Sequence, residues 1–365
     1  MQQAIEAYLK EIFGPSVRLL EFKRLGSGVH GTGFLIEIET EKGRKSYVLK
    51  DLAPEGLGHD YPSDRAAVFL LAHETYGKLP KHVKAVDVIA LKEDGSMKSI
   101  GGGVDYFMLM ERGEGENYFN DLAAFSEKNS LDDRDREKIE AMTSYLAEIH
   151  TVKKDSKTLY WRKLRDTIGH GECLMGVFDT YPDGTLSYEG MAEIEKKSID
   201  WKSLLKPKYK RLSQIHGDFH PGNIWFTSPS PPLNKVGGVT PNSELQTDID
   251  FVLLDRSRGP WGDPADDITA LTINYIFFSI KHHGSVRGPY LEGLTLFFDR
   301  YVTLTGDNEI YDVVAPFFAF RGAVVANPIF YPELTPEQRK LIFKFVNNVL
   351  DDERFRIEKV NDYLT

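Results

Sequence analysis

The chain has 365 residues, with 45 Lys plus Arg against 55 Asp plus Glu and a formal charge of −10. That length exceeds one ordinary domain and supports two with cores of their own, while the acidic balance argues against nucleic acid or an anionic membrane surface as the main partner, since both reward a cationic footprint. A single cysteine, Cys173, excludes an internal disulfide and every multi-cysteine metal centre, so the expectation is a cytoplasmic protein of enzyme size.

In chain order, Ile5, Leu9, Ile12 and Phe13 stand at helical spacing among acids, without the basic start and apolar run of a signal peptide. From Arg18 to Leu52 the period becomes that of strands: Phe34, Ile36 and Ile38 alternate with polar or outward positions, and Tyr47 to Leu49 begins a return strand. Ser63 reads as the cap of a helix over 65–74, and Val86 to Leu91 and Tyr106 to Met110 read as short strands. Beyond Gly113 the period is helical: Ser130 and Asp133 suggest a capping box before Ile139, Met142, Leu146 and Ile149, and Thr335 with Gln338 opens another helix. The run from Leu271 to Ile280 is far too short to span a bilayer. Residues 227–246, rich in Pro, Ser, Gly and Asn, are expected to form an exposed insertion loop. The fold class is therefore α+β, with a strand-rich unit over residues 1–112 and a mainly helical one over 113–365.

Three motifs carry chemistry. Gly26-Ser27-Gly28-Val29-His30-Gly31 fits G-x-G-x-x-G. A dinucleotide site needs a helix directly after such a loop, whereas here an alternating strand follows. A glycine turn between strands is instead the kind that covers nucleotide phosphates with its amides, or else a plain hairpin. Lys50 ends the apolar run Tyr47-Val48-Leu49, where an ammonium can reach the α and β phosphates. The third motif, Ile215 to Phe226, holds Asp218 and Asn223 in a turn with Pro221 and Gly222, and the apolar run Phe251 to Leu254 delivers Asp255. Phosphoryl transfer needs a carboxylate for the attacking hydroxyl and oxygen ligands for magnesium. An acid directly after a run that reads as buried favours a metal ligand over an N-cap or salt-bridge aspartate, since an unpaired buried carboxylate is costly.

His216 to Asn223 and Leu254 to Thr269 (LDRSRGPWGDPADDIT) resemble the signatures of the aminoglycoside phosphotransferase and choline kinase-like family, and the resemblance runs over essentially the whole chain. It implies a two-lobed protein-kinase-like fold with the nucleotide between the lobes. By the same resemblance, Asp218 is the catalytic base, His216 buttresses its loop, and His220 stands where protein kinases carry a catalytic-loop lysine. Asn223 and Asp255 would hold Mg2+, and Asp267 would anchor the loop from below. Gly26, Ser27, Gly28, Gly31 and Lys50 would bind the phosphates of ATP or GTP, and the backbone from Met110 to Arg112 the adenine. Asp64, in competition with Arg65 and Glu74, would pair with Lys50.

The general pattern does not cover Gly169-His170-Gly171-Glu172-Cys173, which lies where substrate-binding elements are expected, so His170 and Glu172 stand as substrate contacts or as part of a structural turn. Only the seven residues 256–262 separate Asp255 from Asp263, which leaves no room for a peptide platform and favours a small-molecule hydroxyl as acceptor. The acids Glu172, Asp179 and Asp183 would suit an amine-bearing acceptor, or merely form a solvated face. Two alternatives use the same residues. A non-catalytic nucleotide-binding module would be expected to lack one of Lys50, Asp218, Asn223 and Asp255, and all are present. A metal-dependent phosphohydrolase would place His216, Asp218 and His220 on one face of a strand.

Overall fold

The computed structural model of the chain describes residues 2–28, 31–54, 58–75, 83–106, 108, 110–227, 249–256 and 258–365. It divides into two compact units, Met1–Met110 and Glu111–Thr365.

The first unit starts with helix α1 (Gln2–Phe13) and an antiparallel meander of β1 (Arg18–Gly28), β2 (Gly31–Thr40) and β3 (Gly43–Lys50), in that spatial order. The alternation along β2 turns Ile36 and Ile38 inward, where they meet Ile5, Tyr8 and Leu9 from the apolar stripe of α1. Helix α2 (Pro62–Thr75) and the hairpin of β4 (Ile89–Leu91) with β5 (Met97–Ser99) complete the unit. Helix α2 begins one residue before the expected cap Ser63, and it is the Asp64 carboxylate that accepts the Tyr61 amide, at 2.7 Å. Of the strand expected from Tyr106 to Met110, Phe107 and Leu109 lie outside the described residues; Tyr106, Met108 and Met110 are irregular and 52%, 78% and 61% exposed.

The second unit begins with β6 (Glu116–Asn117) and continues through α3 (Phe119–Ala124), α4 (Asp133–Thr151), α5 (Lys157–Gly169), α6 (Leu174–Phe178) and α7 (Tyr188–Leu205). Then come β7 (Ser213–Gln214), β8 (Ile224–Thr227), β9 (Asp250–Leu253) and β10 (Trp261–Gly262), followed by α8 (Pro264–His283), α9 (Gly288–Thr305), α10 (Ala315–Ala326) and α11 (Pro336–Asp351). The strands form two small sheets, β6-β8-β9 and β7-β10. Every residue of α8 from Pro264 to Ile280 is buried, so the apolar run over 271–280 is an interior helix with neighbours on all sides. Among the described residues no helix is long and apolar enough to cross a membrane. The capping box of α4 is formed by Asp132 and Asp135 in place of Ser130 and Asp133, whereas Thr335 and Gln338 cap α11 as their spacing requires. Of the expected insertion loop, all but Thr227 lies outside the described residues. A small antiparallel-sheet unit followed by a mainly helical one is the α+β, protein-kinase-like architecture.

Candidate active site

Between β7 and β8 the chain is irregular until the short turn Pro221–Asn223. This loop is held through its own backbone. The Asp267 carboxylate of α8 accepts the amides of His216, at 2.8 Å, and Gly217, at 2.7 Å. His150 of α4 lies 3.2 Å from the same carboxylate through Nε2 and 2.9 Å from the Tyr301 hydroxyl through Nδ1. Gly217 has a φ of +88°, a conformation natural to glycine. Because this segment is not a strand, the alternation of His216, Asp218 and His220 does not place them on one strand face. His216 Nδ1 accepts the Asp218 amide and His220 Nδ1 the Gly222 amide, so each histidine braces the turn it stands in.

The Asp218 carboxyl is buried and carries two cations on one oxygen: Arg321 Nη1 donates to Oδ1 at 2.6 Å and Arg258 Nη1 at 2.8 Å. The other oxygen, Oδ2, lies 4.0 Å from His220 Nε2. Burial disfavours the charged carboxylate, but the Arg321 and Arg258 guanidiniums outweigh it and hold Asp218 below the ordinary carboxyl range. Burial also pushes His220 below its ordinary value, against the pull of Asp218. Behind the arginines lies a second carboxylate. Arg321 Nη2 donates to Asp266 Oδ1, at 2.8 Å, and to the Gly217 carbonyl, at 2.9 Å. Lys163 Nζ of α5 pairs with Asp266 Oδ2 at 2.9 Å and donates to the Arg258 carbonyl at 3.3 Å. Although burial opposes its charge, Asp266 is pulled down to about 2 by Lys163 and Arg321.

Asn223 and Asp255 come together through the pairing of β8 with β9. Ile224 stands opposite Leu253, and the Leu254 amide donates to the Asn223 carbonyl at 3.0 Å. Asn223 Nδ2 donates to the Asp218 carbonyl, while neither Asn223 Oδ1 nor the Asp255 carboxylate accepts a hydrogen bond from a described residue. Asp255 is exposed, so the cost of burial does not single it out. Its backbone does: it is the one non-glycine residue with positive φ (+51°) among those described, and such conformations gather at functional sites. These two oxygen donors suit a hard divalent cation that takes its remaining ligands from phosphates and water. Among the described residues no three His, Cys, Asp or Glu side chains are grouped to hold a metal by themselves.

In the first unit, Gly26, Ser27 and Gly28 end β1 and Gly31 opens β2, with Gly28 opposite Gly31; Val29 and His30 lie outside the described residues. Gly31 has a φ of +151°, and a Cβ there would lie 2.1 Å from the Asp51 carbonyl oxygen, so no other residue fits. Lys50 ends β3 opposite Gly33, is exposed, and has no side-chain partner among the described residues. Asp64 serves the start of its own helix. Met110 and Arg112 are exposed and irregular. In the second unit, His170 follows the last turn of α5 and its Nδ1 accepts the Glu172 amide; both side chains are exposed, as are Asp179 and Asp183. The turn is tight, since a Cβ on Gly176 would lie 2.0 Å from the Gly171 carbonyl oxygen. Cys173 is buried within it, and its thiol is pushed up to about 11 by that burial.

The sequence reading missed Arg258, Arg321, Lys163 and Asp266 as parts of this site. Two signals were present. Arg321 interrupts the otherwise apolar helix α10, and Lys163 falls on the same helical face of α5 as Tyr160 and Thr167. A cation on a buried stripe requires an anion.

A search of the curated proteins finds no match to this chain. Among solved structures, Plasmodium vivax ethanolamine kinase is 11% identical with a TM-score of 0.33, the alignment covering 98% of this chain and 83% of that one. A glucosamine kinase is 11% identical with a TM-score of 0.41, covering 96% and 98%. The GDP complex of aminoglycoside 2'-phosphotransferase-IIIa is 12% identical with a TM-score of 0.32, covering 99% and 97%. Residues 21–233, more than half of the chain, match the phosphotransferase enzyme family, and the match includes the glycine turn, Lys50, Asp218 and Asn223. The chain belongs to that family and is a phosphotransferase, the class of enzyme its motifs imply.

Proposed function

We propose that the protein transfers the γ-phosphate of ATP or GTP to a hydroxyl of a small molecule, with magnesium held by Asn223 and Asp255. The observation that carries this reading is the Asp218 carboxylate, fixed on one oxygen by two guanidiniums and left with Oδ2 for an acceptor hydroxyl. With its proton affinity lowered, Asp218 orients that hydroxyl and takes its proton late, as suits a loose phosphoryl-transfer transition state with little negative charge on the attacking oxygen. Magnesium, when bound, neutralises charge on the phosphates. The glycine turn and Lys50 supply backbone amides and an ammonium for those phosphates. A small acceptor is supported by the short segment 256–262, which leads directly to Asp263, the N-cap of α8.

Replacing Asp218 by Asn keeps the shape and removes the charge. Label transfer from ATP should fall by on the order of 10²–10⁴, while nucleotide binding, followed by titration calorimetry, persists. Undiminished turnover in that variant would overturn the role given to Asp218.

A further inference from the structure

Around Asp218 three cations, Lys163, Arg258 and Arg321, are hydrogen-bonded to two carboxylates, Asp218 and Asp266, while a third buried carboxylate, Asp267, is taken up by the loop amides and His150. Both Arg258 and Arg321 keep Nε buried without a partner, and of the two only Arg258 also leaves a terminal nitrogen unused among the described residues. Arg321 has both terminal nitrogens engaged, whereas Arg258 uses only Nη1, on Asp218. Its Nε is buried without a partner, and its Nη2 donates to no described residue. Nevertheless the side chain is held firmly. The Arg258 carbonyl accepts Lys163, and the guanidinium lies 5.2 Å from the centre of the Phe320 ring. The Nε–Nη2 edge presents two parallel N–H groups at the spacing of two carboxylate or phosphate oxygens, and a buried donor with no acceptor is costly unless a ligand completes it.

We infer that the acceptor bears an anionic group, a carboxylate or a phosphate, on the same small molecule as the hydroxyl that is phosphorylated, and that the Nε–Nη2 edge of Arg258 grips it. This rests on the phosphotransfer reading above, in which Asp218 receives the acceptor hydroxyl. Because Nη1 of the same guanidinium is tied to Asp218, the free edge lies within one small molecule's reach of that hydroxyl. The nucleotide's phosphates have their own partners in that reading: the glycine turn, Lys50 and magnesium. The exposed acids Glu172, Asp179 and Asp183 lie on the surface and do not enter this cluster.

The test uses acceptors that differ in charge: glycerate and glycerol 3-phosphate against glycerol, gluconate and glucose 6-phosphate against glucose, and ethanolamine and glucosamine as cationic controls, each with labelled ATP and magnesium. The anionic members should be phosphorylated with kcat/KM at least about tenfold above their neutral counterparts, the acid and phosphate arms telling which anion is taken. Arg258→Lys keeps a charge beside Asp218 but loses the fork, and should reduce that preference by about tenfold with the KM for ATP unchanged. Independently of turnover, calorimetry on protein already holding magnesium and a non-hydrolysable ATP analogue should show glycerate or inorganic phosphate binding, weakened by about tenfold or more in Arg258→Lys and Arg258→Gln. Preference for neutral or cationic acceptors, anion binding unchanged in the variants, or no anion binding by the wild type overturns the inference. A rise in the KM for ATP in place of that for the acceptor also overturns it, assigning the fork to the γ-phosphate. Intact anion binding with no label on any acceptor counts against the phosphotransfer reading and leaves the Arg258 site standing.

Discussion

Burial by itself raises the pKa of a carboxyl, yet Asp218 and Asp266 are both buried and both shifted downward, because each meets two cations at hydrogen-bond distance. The consequence for stability has a definite sign. With a native value of about 2 against 3.8 for the unfolded chain, Asp266 contributes its stabilisation fully above pH 3.8 and loses it as the pH falls toward 2. The contribution amounts to about 2 kcal/mol. Denaturant unfolding followed by circular dichroism should therefore show stability dropping between pH 5 and 2 on the order of this amount, and Asp266→Asn should remove that part of the pH dependence. A wild type and variant with parallel pH profiles would contradict the assignment. Asp218 pulls in the same direction, so the two carboxyls make the site itself acid-sensitive.

At the scale of elements, the site depends on how α10 sits, because Arg321 reaches Asp218 and Asp266 from it. The next residue, Gly322, is where α10 meets α11: a Cβ there would lie 2.3 Å from Cγ2 of the buried, β-branched Val346. Gly322→Ala gains up to about 1 kcal/mol of helix propensity but overpacks a stiff neighbour at a cost of about 1–3 kcal/mol. The second effect should win, lowering the thermal midpoint; a rise in that midpoint would show that α11 yields. What could be read from the sequence follows the same division. The motif from His216 to Asn223, Asp255 at the end of β9 and the inward face of β2 were legible because spacing and period encode them. Arg258, Lys163 and Asp266 were not, since their roles arise only when α5, α8 and α10 pack around one loop. Even the lone arginine of α10, visible as an interruption of an apolar run, did not name its partners.

For the whole molecule, a net charge of −10 means that affinity for phosphates has to be local. In the proposed reading the large unit contributes Arg258 beside Asp218, and the small unit its glycine turn and Lys50. Membership in the phosphotransferase family fixes the class of reaction, and the central claim is that a phosphoryl group passes from nucleotide to a small-molecule hydroxyl under the control of Asp218. Phosphorus NMR of the wild type with ATP, magnesium and the charge-matched acceptors addresses it most directly. The expected spectrum gains a phosphomonoester resonance in step with ADP, and that resonance is lost in Asp218→Asn and on chelation of magnesium. ADP accompanied only by inorganic phosphate, or a monoester formed equally well by Asp218→Asn, would contradict it.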